Sequence, residues 1–218
     1  MHFHLLLEDE SGKRLVQIIM EKLKVQNPDF TYQCNGFHGI GGYVKRGKAD
    51  EMKTGKLLDD LGKFLKVLNK KYQDYPSAVF IVLDNDRHDP ELFLTELNDY
   101  VKEYQLSIDY VFCLAIEEME AWLLGDKEAL ATAYPSFNGQ VYKQYQQDSI
   151  CGTWEMLANV VYKGGASKLK KSSASYYDIG ALKIEWAENI GQYMDIDNNE
   201  SPSFNSFISE IKKRLSAA

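Results

Sequence analysis

Ala78-Val79-Phe80-Ile81-Val82-Leu83-Asp84-Asn85-Asp86-Arg87-His88-Asp89 is an apolar run that stops abruptly in acids. Six apolar residues without a periodic break, rich in branched side chains, read as a strand buried on both faces, as in parallel sheets. Asp84 and Asp86 then lie at its carboxyl end, the edge where open α/β sheets bind ligands beside a topological switch. Two carboxylates held close together repel, and one takes up a proton unless a cation joins them. A divalent metal is the candidate that this pair calls for.

The flanking segments repeat the pattern. Upstream, Phe3 to Leu7 is a short strand delivering Glu8, and Leu15, Ile18, Ile19 and Leu23 follow at helical spacing. Phe30 to Cys34 reads as a shorter, more polar strand nearer an edge. Leu57, Leu58, Leu61, Phe64, Leu65 and Leu68 give an amphipathic helix leading into the central strand. Downstream, Asp89-Pro90-Glu91 reads as a helix start, with Asp89 as cap. Ile108 to Ile116 is the next strand and ends in Glu117-Glu118. Strands alternating with helices predict a mainly parallel α/β sheet flanked by helices, with Glu8, Asp84 and Glu117/Glu118 delivered to one rim.

Two further stretches carry glycine and basic residues. Gly42 to Lys48 imitates a phosphate loop, but Ala49 stands where the magnesium-binding hydroxyl belongs, so the segment with Lys45, Arg46 and Lys48 reads as a surface connection. Beyond about residue 135 the character changes: residues 1–135 read as the α/β core and 136–218 as a helical C-terminal extension packed on it. Within that extension Lys163-Gly164-Gly165-Ala166-Ser167-Lys168-Leu169-Lys170-Lys171 reads as a basic, flexible segment, a candidate for nucleic-acid contact through Lys163, Lys168, Lys170 and Lys171. Trp154 to Val161, the Ile179/Leu182/Trp186/Ile190 set and Ser203 to Leu215 read as helices.

Composition bounds the function classes. The hydrophobic content of 44% and charged content of 26% are those of an ordinary soluble domain, and no stretch reaches the length of a membrane span. A cytoplasmic location is expected. Cys34, Cys113 and Cys151 are widely spaced and form no Cys-x-x-Cys pair, which excludes a disulfide framework or zinc ribbon as the organising device. A net charge of -7 argues against binding nucleic acid through overall charge and leaves a local basic patch.

Oxygen ligands such as Glu8, Asp84 and Asp86 suit Mg2+ or Mn2+. The competing reading is that Asp84 and Asp86 only form a turn and that Glu8 is a solvated strand end. Recurrence of acids at three strand ends favours the metal. His88 reads as an exposed loop histidine, and His2 and His4 share one strand face without a third ligand.

Leu5-Leu6-Leu7-Glu8, Val82-Leu83-Asp84-Asn85-Asp86 and Ile116-Glu117-Glu118-Met119-Glu120-Ala121-Trp122-Leu123-Leu124-Gly125-Asp126 together resemble the Toprim superfamily. Within it the chain is most similar to the DUF4276 group, related to the Toprim nucleases of overcoming-lysogenization-defect proteins. Ser201-Pro202-Ser203-Phe204 adds to the likeness. The resemblance implies that Glu8, Asp84 and Asp86 bind magnesium, that Glu118 is a further acidic ligand or orienting group, and that Lys183 acts against transition-state charge. It also implies a separately encoded ATPase partner and a place in an anti-phage or DNA-processing system. Asp9 stands where Toprim domains usually have glycine and Gly12 where many have a second acid, so the metal count stays open.

The first expectation is therefore a metal-dependent nuclease acting on DNA or RNA. The alternatives are a haloacid-dehalogenase-like phosphatase with Asp84 as nucleophile, and a non-catalytic subunit that binds nucleic acid or a partner.

Overall fold

The computed structural model describes residues 1–43, 55–172 and 176–217. In order the elements are β1 (His2–Leu7), α1 (Glu10–Gln26), β2 (Thr31–Gly36), α2 (Leu57–Lys71), β3 (Ser77–Asp84), α3 (Pro90–Lys102), β4 (Asp109–Ala115), α4 (Glu120–Leu124), α5 (Lys127–Ala133), α6 (Gly139–Tyr142), α7 (Thr153–Val161), α8 (Gly165–Ser172), α9 (Tyr176–Gly191) and α10 (Pro202–Ala217). The four strands among the described residues form one all-parallel sheet in the order β2-β1-β3-β4. β3 lies between β1 and β4, and Ala78 to Leu83 are all buried, which is why the segment is apolar without alternation.

β2 is the edge strand that its polarity suggested. It spans Thr31–Gly36 rather than Phe30–Cys34. Phe30 packs edge-on against Phe3 before the strand begins, and pairing with β1 runs on to Leu7 opposite Gly36.

Alternate side chains of the strands feed two apolar layers. Leu6, Val79, Ile81, Leu83, Phe112 and Leu114 meet α2 and α3 on one face. Phe3, Leu5, Leu7, Phe80 and Val82 face α1 and α10 on the other. There the Phe80 ring makes edge contacts with Phe3 (5.6 Å) and Phe207 (5.9 Å), and Trp122 stacks on Phe207 at 5.0 Å. Such aromatic contacts add roughly 0.5–1.5 kcal/mol each beyond area burial. The C-terminal helices thus supply one wall of the sheet's own core, and α9 lies along α1.

Short polar caps fix where helices begin. Asp9 accepts from the Gly12 N–H (2.7 Å) to start α1, and Asp89 accepts from Glu91 and Leu92 (both 3.0 Å), with Pro90 opening α3. Ser201-Pro202-Ser203 is held by Asp148, whose carboxylate accepts from the Ser201 hydroxyl and the Ser203 N–H, both at 2.7 Å.

The basic stretch differs from its expected flexibility: Gly165–Ser172 is helix α8. Ala166 and Leu169, three residues apart, are buried, and the Ala166 N–H donates to the side-chain Oδ1 of Asn159 on α7 (2.8 Å), so packing overrides the glycine pair. Lys45, Arg46 and Lys48 lie outside the described residues. Cys34, Cys113 and Cys151 are free thiols. Among the described residues no helix is long and apolar enough to cross a membrane.

Candidate metal centre

The sheet order creates the site. From β1 the chain moves outward to β2, whereas β3 lies on β1's other side, so the direction of winding reverses between β1 and β3. The helices that follow these two strands pack on opposite faces, and their departing loops leave a crevice at the carboxyl ends. Glu8 and Asp84 are the residues at those ends. The Asp84 N–H donates to Glu8 Oε2 at 3.3 Å, which brings the two acids side by side.

Both carboxyls are held away from their ordinary titration. Burial pushes Glu8 up to about 7; the charges of Asp86 and Asp9 add to this, and the Asp84 N–H and Lys183 oppose it. Burial and then the charge of Glu8 hold Asp84 well above the usual carboxylate range, against the pull of Lys183. Asp84 is half-buried as a residue, yet its Oδ1 is enclosed and has no hydrogen-bond partner. An enclosed carboxylate oxygen without a donor costs stability, a cost that a bound cation would offset.

Lys183 reaches the rim from α9. Its Nζ lies 3.2 Å from Glu120 Oε2 and 3.3 Å from Glu118 Oε1. Burial alone would lower its pKa, but Glu120, Glu118 and Asp84 outweigh that and keep the ammonium charged. Glu118 is itself pushed up by burial and by Glu120, with Lys183 and the Trp154 N–H opposing.

The adjacent Glu117 has a different task. It adopts a left-handed backbone (φ 60°), and its carboxylate accepts from the N–H groups of Cys151, Gly152 and Thr153, each at 2.9 Å. Burial pushes this carboxyl up, but these bonds and the Thr153 hydroxyl outweigh it and hold the pKa below the usual value. Glu117 therefore anchors the start of α7, while Glu118 turns toward Lys183.

Asp86 is exposed and also left-handed (φ 48°), with its N–H donating to the Glu117 carbonyl at 3.1 Å. It lines a cleft of about 460 Å³ with Arg87, His88, Glu117, Glu118, Gly152, Trp154 and Glu155. His88 is exposed, as its loop position suggested, and stacks on Phe93. His2 and His4 make cross-strand bonds to Thr31 (2.8 Å) and Asn35 (3.0 Å). Lys163, Lys168, Lys170 and Lys171 are exposed, and Lys170 reaches Glu155 (2.9 Å) at the cleft.

Asn85 carries a role that its sequence context concealed. It is fully buried, its Oδ1 accepts from the Glu117 N–H (2.5 Å), and its Nδ2 donates to the His88 carbonyl (2.7 Å). This clip joins the ends of β3 and β4 and sets the turn that carries Asp86. Asn85→Ala leaves the buried Glu117 N–H unpaired and removes the bond to the His88 carbonyl, and is expected to cost about 1–3 kcal/mol, read as a fall in the thermal or urea midpoint.

Among the described residues no three His, Cys, Asp or Glu side chains stand together as a ready-made metal cluster. The donors present still fit magnesium or manganese: these ions use one or two carboxylates and keep several waters. Glu8 and Asp84 would hold such an ion, with Asp86 and Glu118 flanking it.

A family model described as a domain of unknown function (DUF4276) matches residues 15–212. No curated protein and no solved structure matches the chain.

Proposed function

The chain belongs to the DUF4276 family, and for it we propose a divalent-metal-dependent nuclease that hydrolyses phosphodiester bonds of DNA or RNA. The observation that carries this reading is the half-buried Glu8–Asp84 pair at the switch point, with its enclosed and unpartnered Asp84 Oδ1. Burial raises the pKa of both carboxyls, and the charge of Glu8 raises that of Asp84 further, a strain that a shared cation would relieve. The sequence likeness to Toprim nucleases in the segments around Glu8, Asp84 and Glu118 supports the same chemistry.

Mg2+ or Mn2+, when bound, supplies charge neutralisation on the phosphate and activation of the nucleophile. Glu8 and Asp84 would hold the cation, and Asp86 at the cleft would offer a further carboxylate. Glu118 and Glu120 keep the Lys183 ammonium charged and in place, where it offsets negative charge developing on the phosphate. Lys163, Lys168, Lys170 and Lys171 contact the strand backbone beyond the cleft. A separately encoded ATPase and an anti-phage or DNA-processing setting belong to this proposal through the Toprim likeness.

The phosphatase alternative fits less well. The acid pair lies on the third strand, and Arg87 and His88 follow it where that class has a Thr. The acids retained at three strand ends, Glu8, Asp84 and Glu117/Glu118, count against the non-catalytic alternative.

The test is a time course on plasmid, single-stranded DNA and RNA in Mg2+ or Mn2+, with and without a neighbouring ATPase. Cleavage that chelation abolishes supports the reading; no cleavage of any substrate with either ion contradicts it. Lys183→Ala is expected to slow cleavage by about a hundredfold while leaving Mn2+ affinity unreduced. Loss of Mn2+ binding in that variant would place Lys183 in the scaffold of the site instead.

A further inference from the structure

We propose that the Trp154 ring is a stacking platform for one unpaired base beside the scissile phosphate, so that the cleft takes single-stranded nucleic acid. The inference rests on the nuclease reading above and names its substrate class. Trp154 is the large aromatic group of a cleft otherwise lined by Asp86, Arg87, His88, Glu117, Glu118, Gly152 and Glu155. It is partly exposed there while also packing against the core, whereas Trp122 and Trp186 are buried at 0% and 2% exposure. Its backbone N–H donates to Glu118 Oε2 at 2.9 Å, the carboxyl that also pairs with Lys183, so the indole is rooted next to the acid group.

The surroundings match one strand rather than a duplex. Arg87 also lines the cleft, and Lys170 of α8 lies beside Trp154. Lys170 Nζ sits 5.0 Å from the Trp154 ring centroid and 2.9 Å from Glu155. That ion pair is exposed and worth little, so a base can displace the ammonium from the ring and leave it for a phosphate. Every base offers a π-face to an indole, which makes such a platform tolerant of sequence. A paired base inside a duplex has no free face to offer to the indole.

The test uses the Asp84→Asn chain, so that no strand is consumed. Probes are twelve-nucleotide deoxythymidine and uridine strands, a duplex of equal length and the corresponding mononucleotide, followed by anisotropy and by intrinsic tryptophan emission. Single strands are expected to quench the emission, with the duplex and the mononucleotide binding at least about tenfold more weakly. Adding Trp154→Ala should weaken single-strand binding by about ten- to a hundredfold without changing its salt slope, and Trp154→Phe should retain most of it. Lys170→Ala should lower that slope by about one.

Undiminished single-strand binding by the Trp154→Ala chain, or equal binding of the duplex, overturns the platform. If Asp84-dependent cleavage persists, the nuclease reading survives that result. A mononucleotide that binds as tightly as the strand overturns the strand assignment. Absence of both binding and cleavage for every nucleic acid removes the nuclease reading and the platform together.

Discussion

Asp84→Asn is expected to lower metal-dependent cleavage by about a thousandfold or more while the protein stays folded. The amide keeps the shape of the side chain but removes the charge that holds the cation, and electrostatic stabilisation of several kcal/mol corresponds to that factor in rate. The fold should not suffer, because Asp84 is enclosed beside Glu8 and its charge is a burden to the metal-free protein. A thermal midpoint equal to or above that of the parent, together with lost activity, separates chemistry from misfolding. Equal residual cleavage by parent and variant would mark the activity as contamination and leave a non-catalytic binding role in front.

Glu8→Gln is expected to stabilise the metal-free protein at pH 8 and to abolish its response to magnesium. The pKa of Glu8 is raised by burial from 4.5 to about 7. A group raised in this way contributes stability that is fully present below about pH 4.5 and is lost as pH rises through about 7. At pH 8 in chelator, ionised Glu8 therefore costs roughly 2–3 kcal/mol. Glutamine cannot ionise and still accepts from the Asp84 N–H, so the variant should melt about 5–10 °C higher there, and the gain should vanish near pH 4.5. Added magnesium should raise the midpoint of the parent and leave the variant unmoved. A variant less stable than the parent at pH 8 would show that Glu8 contributes through its bonds and not through a strained charge.

Much of this arrangement was legible in local pattern. Ala78–Leu83 announces a doubly buried strand because no polar residue interrupts it, and strand length then places Asp84 at the edge. Glu8 follows by the same reasoning, and Asp89-Pro90 displays its cap chemistry openly. The strand order is another matter, since nothing in the sequence of β1 states that β3 is its neighbour, yet that adjacency brings Glu8 to Asp84.

The less legible residues act through partners far along the chain. Asn85 sits between two acids, where a polar residue reads as a solvated turn, and its burial depends on Glu117, 32 residues away. Glu117 and Glu118 look alike in sequence, and both accept from the start of α7; they part because Lys183 pairs with Glu118. Helix α8 was obscured by Gly164, Gly165 and a run of lysines, since its order derives from Ala166 and Leu169 packing on α7. Lys183 was singled out through family likeness, and its local sequence would equally suit a solvated helix face. Trp154 carried no signal beyond being aromatic, because its place in the cleft is set by its N–H bond to Glu118.

The central claim is that the Glu8–Asp84 pair is built around a divalent cation, and diffraction from manganese-soaked crystals at the manganese absorption edge tests it most directly. The account predicts an anomalous peak about 2.1 Å from carboxylate oxygens of both Glu8 and Asp84, with the remaining positions filled by water and by any flanking carboxylate. Ordered Glu8 and Asp84 side chains with no peak between them at saturating manganese would contradict it.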